Sequence, residues 1–430
     1  MVMFKLCVAT IIFFVELFAY TSAAYQGKFE NFQEAVKKES VEDKISKYLK
    51  KGSEVSDHFL VTENQLFMFA TKIDKLNKNP EFVLRFGSRQ APKFFVKKSL
   101  HGLRVAIDPG HLGGRMAFIE ERFVDMSLPD NTRIQFDEGT LATVTAKILK
   151  QYLIAVGAEV LLTRDEPGKS VYTLSFDAWC AKSFAITSDR DWLDPKKQQV
   201  AIDYLKNHSP SFMLFKSEAP EKRLTSIIRA QDASAKVVPL KKALFRLCYN
   251  SLDLNARAEK INSFKPDLTI IIHFNASGGA HDISAADYNL AFVPGSFLDG
   301  ELKDLLSREE FVRLSLSDDI KESVKLSRAV VKNMEKMLNV STMKNSQYQP
   351  NGTIFVENGI YCRNLALTRL VHGPICYGET LIQNNPEEAV LLSQKDCEID
   401  GVSVSSRLKN VAGAYFQGIL DYFEFNGQHK

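Results

Sequence analysis

The fold is decided by the stretch Leu103-Arg-Val-Ala-Ile-Asp-Pro-Gly-His-Leu-Gly-Gly114, in which an apolar run leads into a turn. Residues 103 to 107 have the length and the apolar character of a buried strand. Asp108-Pro-Gly110 predicts a tight turn, because proline lacks an amide donor and glycine tolerates a positive φ. The turn is expected to present His111 at the carboxyl end of the strand. Ligands bind at that edge in open α/β sheets.

A second apolar run carries another histidine. Asp267-Leu-Thr-Ile-Ile-Ile-His-Phe-Asn-Ala276 is apolar on both faces, which is typical of a central strand in a parallel sheet, and it contains His273. Between the two runs, a helical pattern at 141–153 precedes a short strand at 159–163, which predicts a strand, helix, strand unit. We therefore expect a three-layer α/β/α fold with a mostly parallel sheet and helical insertions.

Two histidines that follow buried strands indicate a metal site, and a catalytic zinc needs a third protein ligand and an open position. Glu138 and Asp137 lie at the head of the helix after the first strand. Either side chain could be that ligand, or could instead be a helix N-terminal charge. Glu120 and Glu121 are further candidates, and the alternative is that they are solvated loop residues. Spacing alone does not choose between Glu138 and Asp137.

A further carboxylate follows an apolar run near the end of the chain. The stretch Gly373-Pro-Ile-Cys-Tyr-Gly-Glu379 leads into a polar turn, and a helix is expected to start at Glu387 after Pro386. A glutamate that meets two histidines and another carboxylate at one sheet edge is a general-base candidate.

These motifs, taken in order, resemble the zinc-dependent N-acetylmuramoyl-L-alanine amidases of the amidase-3 family over most of residues 103 to 424. The resemblance lies in Val105–His111, Glu138, Leu254-Asn-Ala-Arg257, Ile272–Ala276 and Gly378-Glu379 with Asn384-Asn385. It implies that His111, Glu138 and His273 bind Zn²⁺ and that Glu379 is the catalytic acid and base. It also implies substrate contacts from Asn275 and Arg257. The bond that the family cleaves joins muramic acid to L-alanine of the peptidoglycan stem peptide.

The chain departs from the family pattern at several places. Leu112 stands where the family usually has glycine, and Thr380-Leu381 replaces a Gly-Phe pair. Insertions are expected at about 115–136, 165–251 and 297–322, of which the second contains both tryptophans and the third is acidic. In some members of the family a helix within an insertion covers the zinc until a partner displaces it. Three residues are candidates for such a gate, and an ordinary solvated helix is the alternative: Glu301, Glu309 and Glu310.

The first 24 residues predict a signal peptide, because Lys5 precedes an apolar run that ends in small residues at 21–24. A periplasmic or secreted location follows from that prediction. Residues 25–100 are expected to form a separate small α+β accessory region, with a hairpin at 58–70. The zinc amidase domain is expected to span 101–426.

Composition limits the choice of partner. The 430 residues carry a net charge of +3, which is too small to indicate nucleic-acid binding. Peptidoglycan and a protein activator are the expected partners of a monomeric chain.

No CxxC pair occurs, and Cys362 and Cys376 are the first pair to test for a disulfide. The alternatives to the amidase are a zinc carboxypeptidase or other amidohydrolase on cell-wall peptides, and a non-catalytic wall-binding or activator protein.

Overall fold

The computed structural model describes residues 27–89, 100–208, 233–344, 350–399 and 401–427. The predicted signal peptide lies outside these residues, as does part of the second insertion, 209–232. Among the residues that are described, no helix combines the length and the apolar content needed to cross a membrane.

The strands of the described residues are numbered in chain order. They are β1 (Phe59–Val61), β2 (Gln65–Met68), β3 (Phe82–Arg85), β4 (Arg104–Pro109), β5 (Phe123–Ser127), β6 (Arg133–Asp137), β7 (Glu159–Leu162), β8 (Leu268–Asn275), β9 (Leu290–Val293), β10 (Thr353–Glu357), β11 (Ile360–Arg363), β12 (Ile375–Ile382), β13 (Cys397–Ile399) and β14 (Val402–Val404).

The α-helices whose bounds fall within the described residues are numbered in the same way. They are α1 (Lys38–Lys44), α2 (Lys72–Leu76), α3 (Ala117–Glu120), α4 (Glu138–Ala155), α5 (Phe176–Phe184), α6 (Pro195–His208), α7 (Ala233–Leu244), α8 (Asn250–Phe264), α9 (Leu305–Leu316), α10 (Asp319–Leu338), α11 (Ala366–Leu370), α12 (Pro386–Ser393) and α13 (Ser406–Gly427).

A seven-stranded sheet forms the centre of the molecule, with the order β10-β11-β9-β12-β8-β4-β7. The four strands β7, β4, β8 and β12 run parallel to one another. Strand β9 is antiparallel to β12, and β10 is antiparallel to β11. The sheet is therefore mostly parallel, as predicted.

Both faces of the sheet are covered by helices. Helices α4, α10 and α13 contribute to one hydrophobic cluster, which includes Ile107 and Ile270 from the central strands. The neighbouring residues Ala106 and Ile271 point to the opposite face and belong to a cluster with α8 and α11. This alternation follows from the two-residue period of a strand, and each fully buried isoleucine contributes roughly 1.5–3 kcal/mol. The predicted three-layer α/β/α architecture is confirmed.

The N-terminal region packs against the acidic insertion. Strands β1 and β2 form the predicted hairpin, and β3 completes a small antiparallel sheet. Leu49 and Leu84 of this region share a buried cluster with Phe297 and Phe311. The side chain of Lys44 donates to backbone carbonyl oxygens at the end of α9, at 2.6 and 3.1 Å. The described part of the N-terminal region therefore shares a buried cluster with the acidic insertion, and the boundary of the accessory region at residue 100 stays a prediction.

The insertion at 165–251 forms a helical unit beside the His111 turn. Its cluster contains both tryptophans, Trp179 and Trp192, together with Leu112 and Met116 from the turn. Leu112 is only 2% exposed. Leu112 and Met116 thus join the turn to this insertion, which we call the helical insertion.

The expected disulfide does not form. Every cysteine in the described part of the chain is a free thiol, including Cys362 and Cys376. Cys362 lies on β11 and Cys376 on β12, and β9 runs between these strands. Two strand spacings amount to about 9.5 Å, whereas the Cα atoms of a disulfide lie within about 7 Å of each other. The prediction was wrong because sequence spacing gives no strand order.

Candidate metal centre

His111 follows β4 in a left-handed backbone conformation, with a φ of 49°. The amide of Gly110 donates to the carbonyl oxygen of Ile272 at 2.7 Å, which draws the turn against β8. A Cβ atom at Gly110 would lie 2.4 Å from the imidazole of His273, so only glycine fits there. The two imidazole centroids are consequently 4.8 Å apart, with their planes nearly perpendicular.

Two buried arginines donate hydrogen bonds to carbonyl oxygens of the turn that carries His111. Arg164 donates to three carbonyl oxygens within residues 109–112. Arg257 donates to one of the same carbonyls at 3.2 Å and forms ion pairs with Asp253 at 2.7 Å and Asp108 at 3.4 Å. Arg257 is only 2% exposed, and its guanidinium is fully engaged by these groups. The predicted substrate contact of Arg257 does not fit this position, and its role here is to support the turn.

The head of α4 resolves the choice between the two neighbouring carboxylates. Asp137 caps the helix, since its side chain accepts from the amide of Thr140 at 2.8 Å. Glu138 points into the site, with Oε1 2.9 Å from Nδ1 of His273 and Oε2 3.4 Å from Nε2 of His111. His111, Glu138 and His273 each offer one ligand atom, and these atoms lie within 4.8 Å of one another.

This donor set fits a zinc ion. Two imidazoles and one carboxylate are typical of catalytic zinc sites, which keep a fourth position open. Burial lowers the pKa of His111, and burial lowers the pKa of His273 to about 4. Both rings are therefore neutral near pH 7, which is the form that binds a metal. Burial raises the pKa of Glu138, and the nearby His111 acts in the opposite direction.

Glu379 lies within β12, directly opposite His273 on β8. Because paired residues on adjacent strands project from the same face, its carboxyl shares that face with the imidazole. Burial raises the pKa of Glu379 to about 7, with His273 opposing and Glu138 adding to the rise. The ring of Tyr377, two residues earlier, stacks on His273 with centroids 4.5 Å apart. Glu379 thus occurs inside the strand, whereas we expected it at the strand's end.

Glu120 was a further ligand candidate with a solvated loop residue as the alternative, and the structure excludes the solvated alternative. It is 6% exposed, its Oε1 lies 3.2 Å from Nδ1 of His111, and its Oε2 accepts from the amide of Leu112 at 2.8 Å. The signal in the sequence is the apolar stretch Met116-Ala-Phe-Ile119 immediately before it, which indicates a buried turn.

Gln383 is a second residue that sequence reasoning missed. Its amide nitrogen donates to Oε2 of Glu138 at 3.3 Å and to the carbonyl oxygen of Phe274 at 3.0 Å. Its backbone amide donates to the carbonyl oxygen of Asn275 at 2.8 Å. Asn275 ends β8 at the edge of the site, where it is partly exposed, and its substrate contact stays a prediction.

The three glutamates proposed as a gate lie elsewhere. Glu309 pairs with Lys28, and Glu310 pairs with Arg313. Glu301 accepts from a nearby backbone amide at 2.8 Å. Glu309 and Glu310 are at most 9% exposed, so α9 is not an ordinary solvated helix either. Both expectations for this segment were wrong, because α9 is buried against the N-terminal region.

No family model and no curated protein matches the chain. Among solved structures, 17 chains match. One is the CwlD amidase of Clostridioides difficile in complex with the GerS lipoprotein, with 12% identity, 75% of this chain and 100% of that chain covered, and a TM-score of 0.36. Another is the N-acetylmuramyl-L-alanine amidase Ami1 of Mycobacterium smegmatis, with 13% identity, 76% and 99% coverage, and a TM-score of 0.39.

A third is the catalytic domain of CwlV, an N-acetylmuramoyl-L-alanine amidase from Bacillus (Paenibacillus) polymyxa var. colistinus. It has 14% identity, 75% and 98% coverage, and a TM-score of 0.38. Ami1 and CwlV are named as N-acetylmuramyl- and N-acetylmuramoyl-L-alanine amidases, and CwlD is named as an amidase. Because the TM-scores lie below 0.5, the function of this chain has to rest on the side chains of its own site.

Proposed function

We propose that the chain is a zinc-dependent hydrolase that cleaves the amide bond between N-acetylmuramic acid and L-alanine in peptidoglycan. One observation carries the proposal. The ligand atoms of His111, Glu138 and His273 lie within 4.8 Å of one another, and Glu379 stands opposite His273 on the next strand. A set of two imidazoles, one carboxylate and a separate acid and base is what amide hydrolysis by activated water requires.

His111, Glu138 and His273 would hold the ion. Zinc, when bound, would supply a Lewis acid that polarises the scissile carbonyl and acidifies water. Glu138 contributes the only negative charge of the ligand set, since both imidazoles are neutral. Tyr377 stacks on His273 and restricts the orientation of that ring.

Glu379 is the proposed acid and base. Its pKa of about 7 lets it accept a proton from the attacking water and return that proton to the leaving amine at neutral pH. Its place beside His273 brings it to the same sheet edge as the ligands.

The substrate is proposed from the ordered motifs that resemble the amidase-3 family. The same resemblance suggests peptidoglycan as the partner, and together with the predicted signal peptide it suggests a location outside the inner membrane. The same chemistry at the site would also serve a carboxypeptidase, so the products decide between them.

The test is a digestion of purified peptidoglycan by the purified protein, with and without zinc, and product identification by mass. We expect free glycan and intact stem peptides, formed only with zinc. His273→Ala should abolish zinc binding and digestion, whereas His208→Ala, at the exposed end of α6, should change neither. Shortened stem peptides would indicate a carboxypeptidase. Zinc binding without products would indicate a wall-binding protein.

A further inference from the structure

Glu120 is a buried carboxylate beside the metal centre that the proposed mechanism does not use. It comes from the insertion at 115–136, ahead of the β5–β6 hairpin. Its side chain is 5% exposed. A carboxylate in such surroundings is stable only when hydrogen bonds satisfy its oxygens.

Both oxygens of Glu120 are occupied by the His111 turn. Oε1 lies 3.2 Å from Nδ1 of His111, and Oε2 accepts from the amide of Leu112 at 2.8 Å. The carboxylate therefore cannot swing away without breaking both contacts. An acceptor at Nδ1 favours the tautomer with the proton on that nitrogen. This leaves Nε2, which is 3.4 Å from Oε2 of Glu138, as the nitrogen that faces a metal.

The position of Glu120 depends on the helical insertion. Helix α3 has four residues, too few to be stable alone. Arg246 donates to the carbonyl oxygen of Glu120 at 2.7 Å and pairs with Glu121 at 2.8 Å. Lys242 also pairs with Glu121, at 2.8 Å. Arg246 and Lys242 of the insertion thus hold the C-terminal end of α3.

We infer that Glu120 is a positioning residue that orients His111 for its metal, and that the helical insertion holds Glu120 in place through Arg246. The inference rests on the metal site of the proposed function. It assigns a role to two insertions that the catalytic motifs leave unexplained. Partners of this kind on a metal-bound histidine fix the ring and raise its basicity.

The experiment measures zinc affinity by competition with a chelating dye, for the full chain and its Glu120→Gln variant. Glutamine keeps one acceptor for the Leu112 amide, so the fold should survive, but it presents an amide donor to the turn in place of a second acceptor. We expect an affinity loss of about 10–100-fold. Asp130→Asn is the matched control, because Asp130 is exposed in the same insertion and its bond to the Thr132 amide needs only one oxygen.

A second measurement uses Co²⁺ in place of zinc, because its visible spectrum would not change if the variant were only less stable. The visible spectrum of the Co²⁺-loaded protein reports the ligand geometry, and it should differ from wild type in Glu120→Gln but not in Asp130→Asn. Far-UV circular dichroism of the metal-free proteins checks that the variants are folded. Wild-type zinc affinity and an unchanged cobalt spectrum in folded Glu120→Gln would overturn the inference.

Arg246→Met tests the contribution of the helical insertion. It should weaken zinc binding in the same direction as Glu120→Gln, by a smaller factor, because α3 loses a donor but Glu120 remains. Lys241→Met is its control, since Lys241 pairs with Asp189 and lies over Trp192 on another part of the insertion. Wild-type affinity in Arg246→Met would overturn the role given to the insertion. If the wild-type protein itself binds no zinc, the proposed function fails instead, so the two failures are distinguishable.

Discussion

The carboxyl groups of Glu120 and Glu379, both beside the histidines, have pKa values that differ because their surroundings differ. Burial acts to raise the pKa of Glu120, but its interactions with His111 and the hydrogen bond from the Leu112 amide lower that pKa to about 2. Burial raises the pKa of Glu379 to about 7. Glu120 is therefore a permanent anion suited to hold a ring. Glu379 can exchange a proton near neutral pH. Carboxyl groups whose pKa values are pushed apart in this way commonly have separate catalytic tasks.

Substitution of Glu379 and Glu138 should separate chemistry from metal binding. Glu379→Ala should keep zinc and the fold but lose hydrolysis by at least ~10²–10⁴, the usual contribution of a positioned acid and base. Glu379→Gln should be nearly as inactive, because an amide of similar shape cannot accept the proton. Glu138→Ala should lose zinc itself, since it removes the only anionic ligand. The measurement is zinc content beside turnover for each variant.

Two outcomes would contradict these assignments. If Glu379→Ala loses zinc while Glu138→Ala retains it, the two roles are reversed. If both variants keep zinc and activity, hydrolysis does not take place at this site.

Those residues of the site whose position depends on the local hydrophobic pattern could be predicted from the sequence. His111 and His273 each come after a mostly apolar run, so their place near the sheet edge could be predicted from the pattern, although His273 lies inside β8 and not after it. Asp137 and Glu138 could not be separated, because consecutive residues of a helix start differ only by a rotation of about 100°. The contact between Glu120 and His111 could not be predicted, because it depends on the path of an inserted loop, which no periodicity encodes.

At the scale of elements, the helical insertion is joined to the catalytic turn by packing. Leu112 contributes a buried side chain to the cluster that contains Trp179 and Trp192. The central strands β4 and β8 were predicted because they are continuous apolar runs. Strands β9 and β11 have four residues each, and a run of that length gives no periodicity that separates it from a loop. The order of the sheet depends on those short strands, so it could not be predicted.

Leu112→Ala should loosen the helical insertion. A buried leucine that is cut to alanine costs about 2–5 kcal/mol, depending on how far the cavity collapses. Since the two tryptophans of the chain both lie in this cluster, their fluorescence in a urea titration reports its unfolding directly. Leu193→Ala is the control, because Leu193 is 47% exposed beside Trp192 in the same insertion. Equal midpoints of urea unfolding for the two variants would contradict the role of Leu112 in joining the turn to the insertion.

At the scale of the whole molecule, the N-terminal region and the acidic insertion form one hydrophobic unit. Val41 and Leu49 pack in the same cluster as Phe311 and Leu314, more than 250 positions later in the chain. Contacts between residues so far apart in the sequence cannot be recognised from local composition or from hydrophobic periodicity. The two segments were therefore predicted as independent additions, and only the structure shows that they depend on each other.

Lys44 makes a buried polar contact within this unit, and it gives the stability of the molecule a defined dependence on pH. Its side chain is 1% exposed and donates to the carbonyl oxygens of Leu316 and Ser317 at the end of α9. Burial lowers its pKa from 10.5 to about 8, although Asp318 acts to raise it. Below pH 8 the amine is charged in both the folded and the unfolded chain. Between pH 8 and 10.5 the unfolded chain holds the extra proton, so the free energy of unfolding should rise with pH across this window.

The effect is isolated by comparison with Lys44→Met, which keeps the length of the side chain and removes the titrating group. Burial also raises the pKa of thiols such as Cys376, and those groups lower stability at alkaline pH, but they do so equally in both proteins. The difference in unfolding free energy between wild type and variant, from urea titrations followed by far-UV circular dichroism, should be constant below pH 8. From pH 8 to 10.5 it should shift in favour of wild type by up to about 3 kcal/mol. A difference that stays constant across that window would show that Lys44 is charged in the folded protein, and that the N-terminal region is held to α9 by an ammonium that retains its proton.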